Sequence, residues 1–200
     1  TAKKRYILNV WDSEGVRYEE PKLKIMGIEA IKTSTPAPCR KFLKDAFTLL
    51  MSGTEDEVID YIEECRTQFN KLPPEEVAFP RSVSNVEKWK SSSDMYNKGC
   101  PIHVRGAILY NHWTVKKKID HKYATINNGE KIKFCYLKTP NWMHENVISF
   151  IQDFPRELDL DKYIDYELQF NKSFMEPIKA ILDCIGWETE RKNTLESFFS

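Results

Sequence analysis

Glycine is scarce in this chain, at 7 of 200 residues, and no P-loop, GxGxxG or GxSxG pattern is present. Phosphate-cradling loops, dinucleotide-binding turns and hydrolase nucleophile elbows all depend on such glycines, so none of these chemistries is written here as a motif. No CxxC pair occurs either. The five cysteines (Cys39, Cys65, Cys100, Cys135, Cys184) are odd in number and widely spread. That pattern reads as reduced, mostly buried thiols and not as a disulfide framework. No apolar run approaches the roughly 18 residues that a membrane-crossing helix needs, and the opening residues lack a signal-peptide pattern, so no membrane partner is expected. The chain does not open on methionine, which suggests an excised piece or a processed protein.

Acidic residues are plentiful but fall at solvated helical positions, and no carboxylate pair stands out for metal or acid–base work. The histidines (His103, His112, His121, His144) lie apart, and Cys100 with His103 is only half of a zinc motif. No catalytic residue, metal site or cofactor is therefore assigned to this chain. It reads as a binding surface.

What is there suffices for a packed core: 41% hydrophobic residues, including 11 Phe, 9 Tyr and 5 Trp. Net charge is zero, but its distribution is uneven. Residues 1–50 carry a balance of +4, 51–80 one of −6, 81–140 one of +8 and 141–200 one of −6. Basic blocks attract a polyanion locally even in a neutral molecule, because phosphate contacts are local. Solvated faces that happen to cluster are the plainer explanation, and charge alone does not choose between them.

The order of elements follows from periodicity. Tyr6, Leu8 and Val10 alternate with Ile7, Asn9 and Trp11, Asp12–Gly15 is a turn, and Val16 opens a return strand, predicting a β-hairpin extended by residues 23–28. Ser34 or Thr35 can cap a helix with Pro36 in its first turn, carrying the stripe Phe42, Leu43, Ala46, Phe47 and Leu50 to a stop at Gly53. Thr54 and Glu57 form a capping box ahead of Val58, Tyr61, Ile62, Cys65 and Phe69, which end at Pro73. Residues 73–101 read mostly as loop. Val104–Tyr110 and Lys131–Leu137 are expected to be strands, with Lys116–Lys118 between them and a turn at Asn127–Gly129. A short helix is expected around Val147–Ile151. A long one should follow from about Leu160 to Ile185, kinked at Pro177 and stopped by Gly186. The class is α+β: a small antiparallel hairpin followed by a mainly helical body.

The sharpest local feature is Lys3-Lys4-Arg5-Tyr6, a cation cluster at the edge of a hairpin. Such a cluster can reach phosphates, or place a lysine against the acceptors that every base pair shows in the minor groove. The ordinary alternative is a frayed, solvated terminus.

The segment KKRYILNVWDSEGVRYEEPKLKIMGIEAIKTSTP closely resembles the end of the palm and the start of the thumb in family-B replicative DNA polymerases of large tailed phages. GCPIHVRGAILYN resembles a later thumb segment, in the same order and at a matching spacing. The likeness covers nearly the whole chain and is strongest over residues 3–36 and 99–111. It implies a palm end over 1–30, a thumb domain over 31–190 and a flexible tail over 191–200. It implies that Lys4 reaches the minor groove of the primer–template duplex, with Lys3, Arg5 and Tyr6 beside it and Lys32 as its partner. The implied counterparts of residues that track the primer backbone are Arg81, Ser82, Ser84, Asn85, His103 and Arg105. In the tail, Leu195, Phe198 and Phe199 resemble the hydrophobic peptide by which such polymerases dock on a ring-shaped sliding clamp.

The family's metal-binding aspartates lie upstream of its KKRY motif and are not in this sequence. The resemblance thus implies a fragment, or one subunit of a split DNA-directed DNA polymerase, a nucleotidyltransferase that is inactive alone. The Mg²⁺ ions are expected in the missing catalytic palm. The expected partners are primer–template DNA, the catalytic portion and the clamp, in the cytoplasm of a host cell. The open alternative is a standalone DNA- or clamp-binding replication accessory without a catalytic partner. A third reading, an RNA-binding or metal-dependent nuclease module, would need a carboxylate cluster that the sequence does not offer.

Overall fold

Alternation at the amino terminus becomes a two-stranded antiparallel sheet. Strand β1 (Tyr6–Ser13) pairs with β2 (Val16–Met26), from Tyr6 opposite Met26 to Ser13 opposite Val16. The register shifts between Val10 and Asp12, and Pro21 lies in the unpaired stretch, where its missing N–H removes no ladder bond. The protein's structure is a computed structural model and describes residues 6–13, 15–26 and 32–191.

The chain divides into two compact units, one of residues 1–71 with 171–200 and one of residues 72–170, so the division falls inside the 31–190 segment. In the first unit, α1 (Ala37–Ser52) and α2 (Glu55–Phe69) follow the predicted stripes. They bury Phe42, Leu43, Ala46 and Phe47 on one and Val58, Ile62, Cys65 and Phe69 on the other. The capping box is formed. The Thr54 hydroxyl accepts from the Glu57 amide at 3.4 Å, and the Glu57 carboxylate accepts from the Thr54 amide at 2.7 Å. The start of α1 departs from expectation, because Pro36 itself is the cap residue and no side chain caps it.

The second unit holds a three-stranded antiparallel sheet in the order β3 (Phe79–Ser82), β4 (Lys131–Tyr136), β5 (Val147–Phe150). Short helices α3 (Pro74–Val77) and α4 (Val86–Trp89) flank β3, and α5 (Ile102–Lys116) packs on β5. Two expectations are corrected here. The strand expected at Val104–Tyr110 is the middle of α5 and the helix expected near Val147 is strand β5, whereas the stretch 73–101, read mostly as loop, is so apart from the short elements α3, β3 and α4. The long helix expected from about Leu160 starts later: after a 3₁₀ turn (Asp161–Tyr163), residues 166–185 are helical without a break, as α6 (Tyr166–Phe170), a π-helical turn (Asn171–Met175) and α7 (Glu176–Ile185). Pro177 follows the π-helical turn directly and lacks the N–H that would donate back into it, and the helix stops at Gly186 with φ of 76°. Within the second unit the buried Gln169 of α6 joins two elements. Its amide nitrogen donates to the Val77 carbonyl at 2.7 Å, and its oxygen accepts from the Tyr136 amide at 3.0 Å.

Candidate nucleic-acid interface

A surface that grips a polyanion needs cations and hydrogen-bond donors held on rigid elements, so that little freedom is lost on binding. The end of β3 in the second unit offers such a place. Arg81 and Ser82 sit opposite Ile132 and Lys131 of β4. Strands alternate faces, and directly opposed residues share one, so exposed Lys131 stands beside exposed Ser82. Sequence reading left Lys131 out of the site, because the cross-strand register that brings it there is not written in its own segment.

The chain leaving β3 is held firmly. The Val83 amide donates to the Glu130 carbonyl at 3.0 Å, and the Gly129 amide donates back to the Val83 carbonyl at 2.8 Å. One turn later the Asn128 side-chain oxygen accepts from the Val86 amide at 2.8 Å. The predicted 127–129 turn is therefore the anchor of the 83–86 segment. Between those anchors Ser84 and Asn85 are exposed, and Asn85 adopts a left-handed backbone with φ of 57°, which asparagine tolerates better than most residues.

His103, in the first turn of α5, reaches the same place from a distant part of the chain. Its imidazole is held below its ordinary pKa, first by burial and then by the positive charge of Arg81, while a hydrogen bond with the Ser82 backbone opposes both. Its ring lies 6.2 Å from that of Phe134 on β4. Arg81, Ser82 and His103 are thus neighbours although Ser82 and His103 are 21 positions apart in the chain.

Arg105 is placed otherwise. Its guanidinium donates to the Asn146 side chain and lies 5.5 Å from the Tyr96 ring centre, whose hydroxyl donates to Glu145 at 2.6 Å. It is half-buried and engaged by these neighbouring side chains. Tyr6 and Lys32 belong to the first unit: Tyr6 opens β1 opposite Met26, and Lys32 is exposed, its carbonyl accepting from the Thr35 amide at 3.1 Å. Lys3, Lys4, Arg5, Leu195, Phe198 and Phe199 lie outside the described residues. Among the described residues no group of three metal-ligating side chains is assembled, and Cys100 is a half-buried thiol with its sulfur 3.7 Å from the Pro101 carbonyl. No described helix is long and apolar enough to cross a membrane.

Comparison with known proteins bears on the whole chain. No protein-family model matches it. It is 33% identical over 204 aligned residues to the DNA-directed DNA polymerase of Escherichia phage RB69, an alignment covering 100% of this chain. It is 29% identical over 202 residues to the DNA-directed DNA polymerase of Enterobacteria phage T4, covering 99% of this chain. The chain spans 22% of the length of each of these relatives.

Proposed function

We propose, from the premise that this chain is related along its whole length to a part of phage DNA-directed DNA polymerases, that it grips primer–template duplex for such an enzyme. In this reading residues 1–30 end the palm, 31–190 form the thumb, and 191–200 carry the clamp-docking tail. Phosphoryl transfer falls to a catalytic portion that bears the Mg²⁺-binding aspartates, and this chain does not polymerise alone.

The observation that carries the reading is the convergence of Arg81, the Ser82 backbone and His103 at the end of β3, where exposed Ser84 and Asn85 follow on the same anchored segment. Cation, hydroxyl, amide and imidazole donors on locked backbone are what phosphate tracking asks for. The hairpin supplies a second support. Leu8, Trp11, Val16 and Met26 are 45–57% exposed, large apolar side chains on the hairpin that the rest of a palm would cover. Lys4 and Lys32 are proposed as the minor-groove pair, and Leu195, Phe198 and Phe199 as the clamp anchor, from the sequence resemblance.

The test is fluorescence anisotropy of a labelled primer–template duplex titrated with the chain over a salt series, with single-stranded DNA as control. Duplex is expected to bind in preference, with affinity falling steeply as salt rises. Substituting Arg81→Ala should weaken duplex binding and shallow the salt slope. Absence of binding even at low salt overturns gripping by this chain.

A further inference from the structure

The second unit carries a cleft that the DNA-gripping reading leaves unused. Its volume is about 490 Å³, and it lies between residues 90–95 and one face of α5. Lys90, Ser91 and Met95 line one side. Ile108, His112, Val115 and Lys116 line the other, at the spacing that puts residues on one helical face.

The floor is aliphatic and the rim is cationic. Met95 and Val115 are 37% and 58% exposed, and Ile108 is buried beneath them. Large apolar side chains gathered in a concavity, unlike ones scattered singly, mark a binding surface. Lys90, His112 and Lys116 supply the polar rim, and no carboxylate lines the cleft. Asp94, the one carboxylate of the 90–97 segment, accepts from the Ser93 hydroxyl at 3.2 Å. Lys90 pairs with Glu87 at 2.6 Å, and the Lys116 ammonium lies 4.5 Å from the Trp113 ring centre. Both contacts are solvent-exposed and yield at little cost to a better anion.

The wall is already formed. Asn97 donates to the carbonyls of Lys88 and Lys90 at 3.2 Å each, Lys90 bridges to Tyr96, and the Ser91 hydroxyl accepts from the amides of Ser93 and Asp94. Binding therefore need not order this segment first.

Two polyanions could seek such a rim. Single-stranded nucleic acid stacks its bases on Trp, Tyr or Phe, and none of these lines the cleft. Trp113 instead packs edge-on against Trp142, with ring centres 4.7 Å apart. An aliphatic floor between two lysines matches a peptide that offers one large aliphatic side chain between carboxylates. We propose that this cleft docks an acidic peptide segment of a partner protein. An aliphatic side chain seats against Met95, Ile108 and Val115, and the flanking carboxylates face Lys90 and Lys116. This inference does not rest on the DNA reading.

The probe is a short fluorescein-labelled peptide with two leucines flanked by aspartates, titrated against the full 200-residue chain. Saturable binding is expected, reduced about tenfold or more by the double substitution Lys90→Glu with Lys116→Glu. Replacing the peptide's leucines by alanine should cost about as much. The Met95 methyl signal should shift on binding, which a purely electrostatic contact would not produce. Equal binding of the leucine-free peptide, an unmoved Met95 signal, or indifference to the double substitution overturns the proposal. Displacement of the peptide by an oligonucleotide, or joint loss of duplex and peptide binding in the double variant, assigns the cleft to nucleic acid and overturns it too. A chain that binds the peptide but no duplex would leave this inference standing while the gripping function falls.

Discussion

Gly106 of α5 lies against Ser149 of β5 so closely that a Cβ at position 106 would stand 2.9 Å from the Ser149 amide nitrogen and closer still to its hydroxyl oxygen. That same hydroxyl donates to the His103 carbonyl at 2.8 Å. One strand residue thus sets both how near the helix approaches the sheet and where its first turn sits, and with it the imidazole beside Arg81. Gly106→Ala is expected to cost about 1–3 kcal/mol, the usual range for forcing extra volume into a packed contact. Urea denaturation checks this. The variant's duplex affinity should fall as well, and unchanged stability would mean that the helix shifts at no cost.

Glu75 ties α3 to the chain after β5. Its carboxylate accepts from Arg156 at 2.7 and 3.1 Å and from the Phe154 amide at 3.0 Å. Burial pushes its pKa up, but the hydrogen bonds from Arg156 and the Phe154 amide prevail and hold it below the usual carboxylate value. Glu75→Ala is expected to destabilise by about 1–3 kcal/mol, because it strands a buried amide. Arg156→Ala should cost under about 1 kcal/mol, since that side chain is half exposed. The sign with pH follows. A depressed carboxylate contributes stability above the unfolded-chain pKa and loses it as pH falls through the folded value, so Glu75→Gln should flatten the acid side of the stability profile.

His103 gives a pH test of the interface. Because its folded pKa is lowered, the unfolded chain takes up a proton that the folded one resists. The associated stability is present above about pH 6.5 and declines as pH falls below it. A phosphate at this site would favour the imidazolium, so duplex should raise the His103 midpoint, and duplex affinity should rise as pH falls. Nuclear magnetic resonance titration of the imidazole with and without duplex reads this directly. An unmoved midpoint removes His103 from the interface.

The two ends of the chain make separable predictions. Lys4→Ala and Lys32→Ala should each weaken duplex binding in the anisotropy assay, and unchanged affinity in both sinks the minor-groove assignment. Deleting residues 194–200 should abolish clamp binding without lowering the melting temperature. A large loss of stability would instead make the tail part of the core.

Where one face of an element meets solvent, its period could be read directly. The hairpin, the stripes of α1 and α2 and the Lys131–Tyr136 strand were legible for that reason, since polar residues mark the outer face, while the Thr54–Glu57 box and the Gly186 stop were legible as helix-end motifs. The likeness of KKRY and GCPIHVRGAILYN to polymerase segments was equally available from residue order alone. The exchanged assignments of Val104–Tyr110 and Val147–Phe150 share one cause. Val104 and Gly106–Tyr110 are buried in α5, and all four residues of β5 are buried. A short apolar run covered on every side has no polar face to reveal its period, so helix and strand look alike until packing separates them. The site shows the same limit. Arg81, Ser82, Ser84 and Asn85 could be named from their segment, but the approach of His103 and the cross-strand presence of Lys131 arise from the Gly106–Ser149 contact and the β3–β4 register. Those are relations between distant segments, and only the packed chain brings them into being.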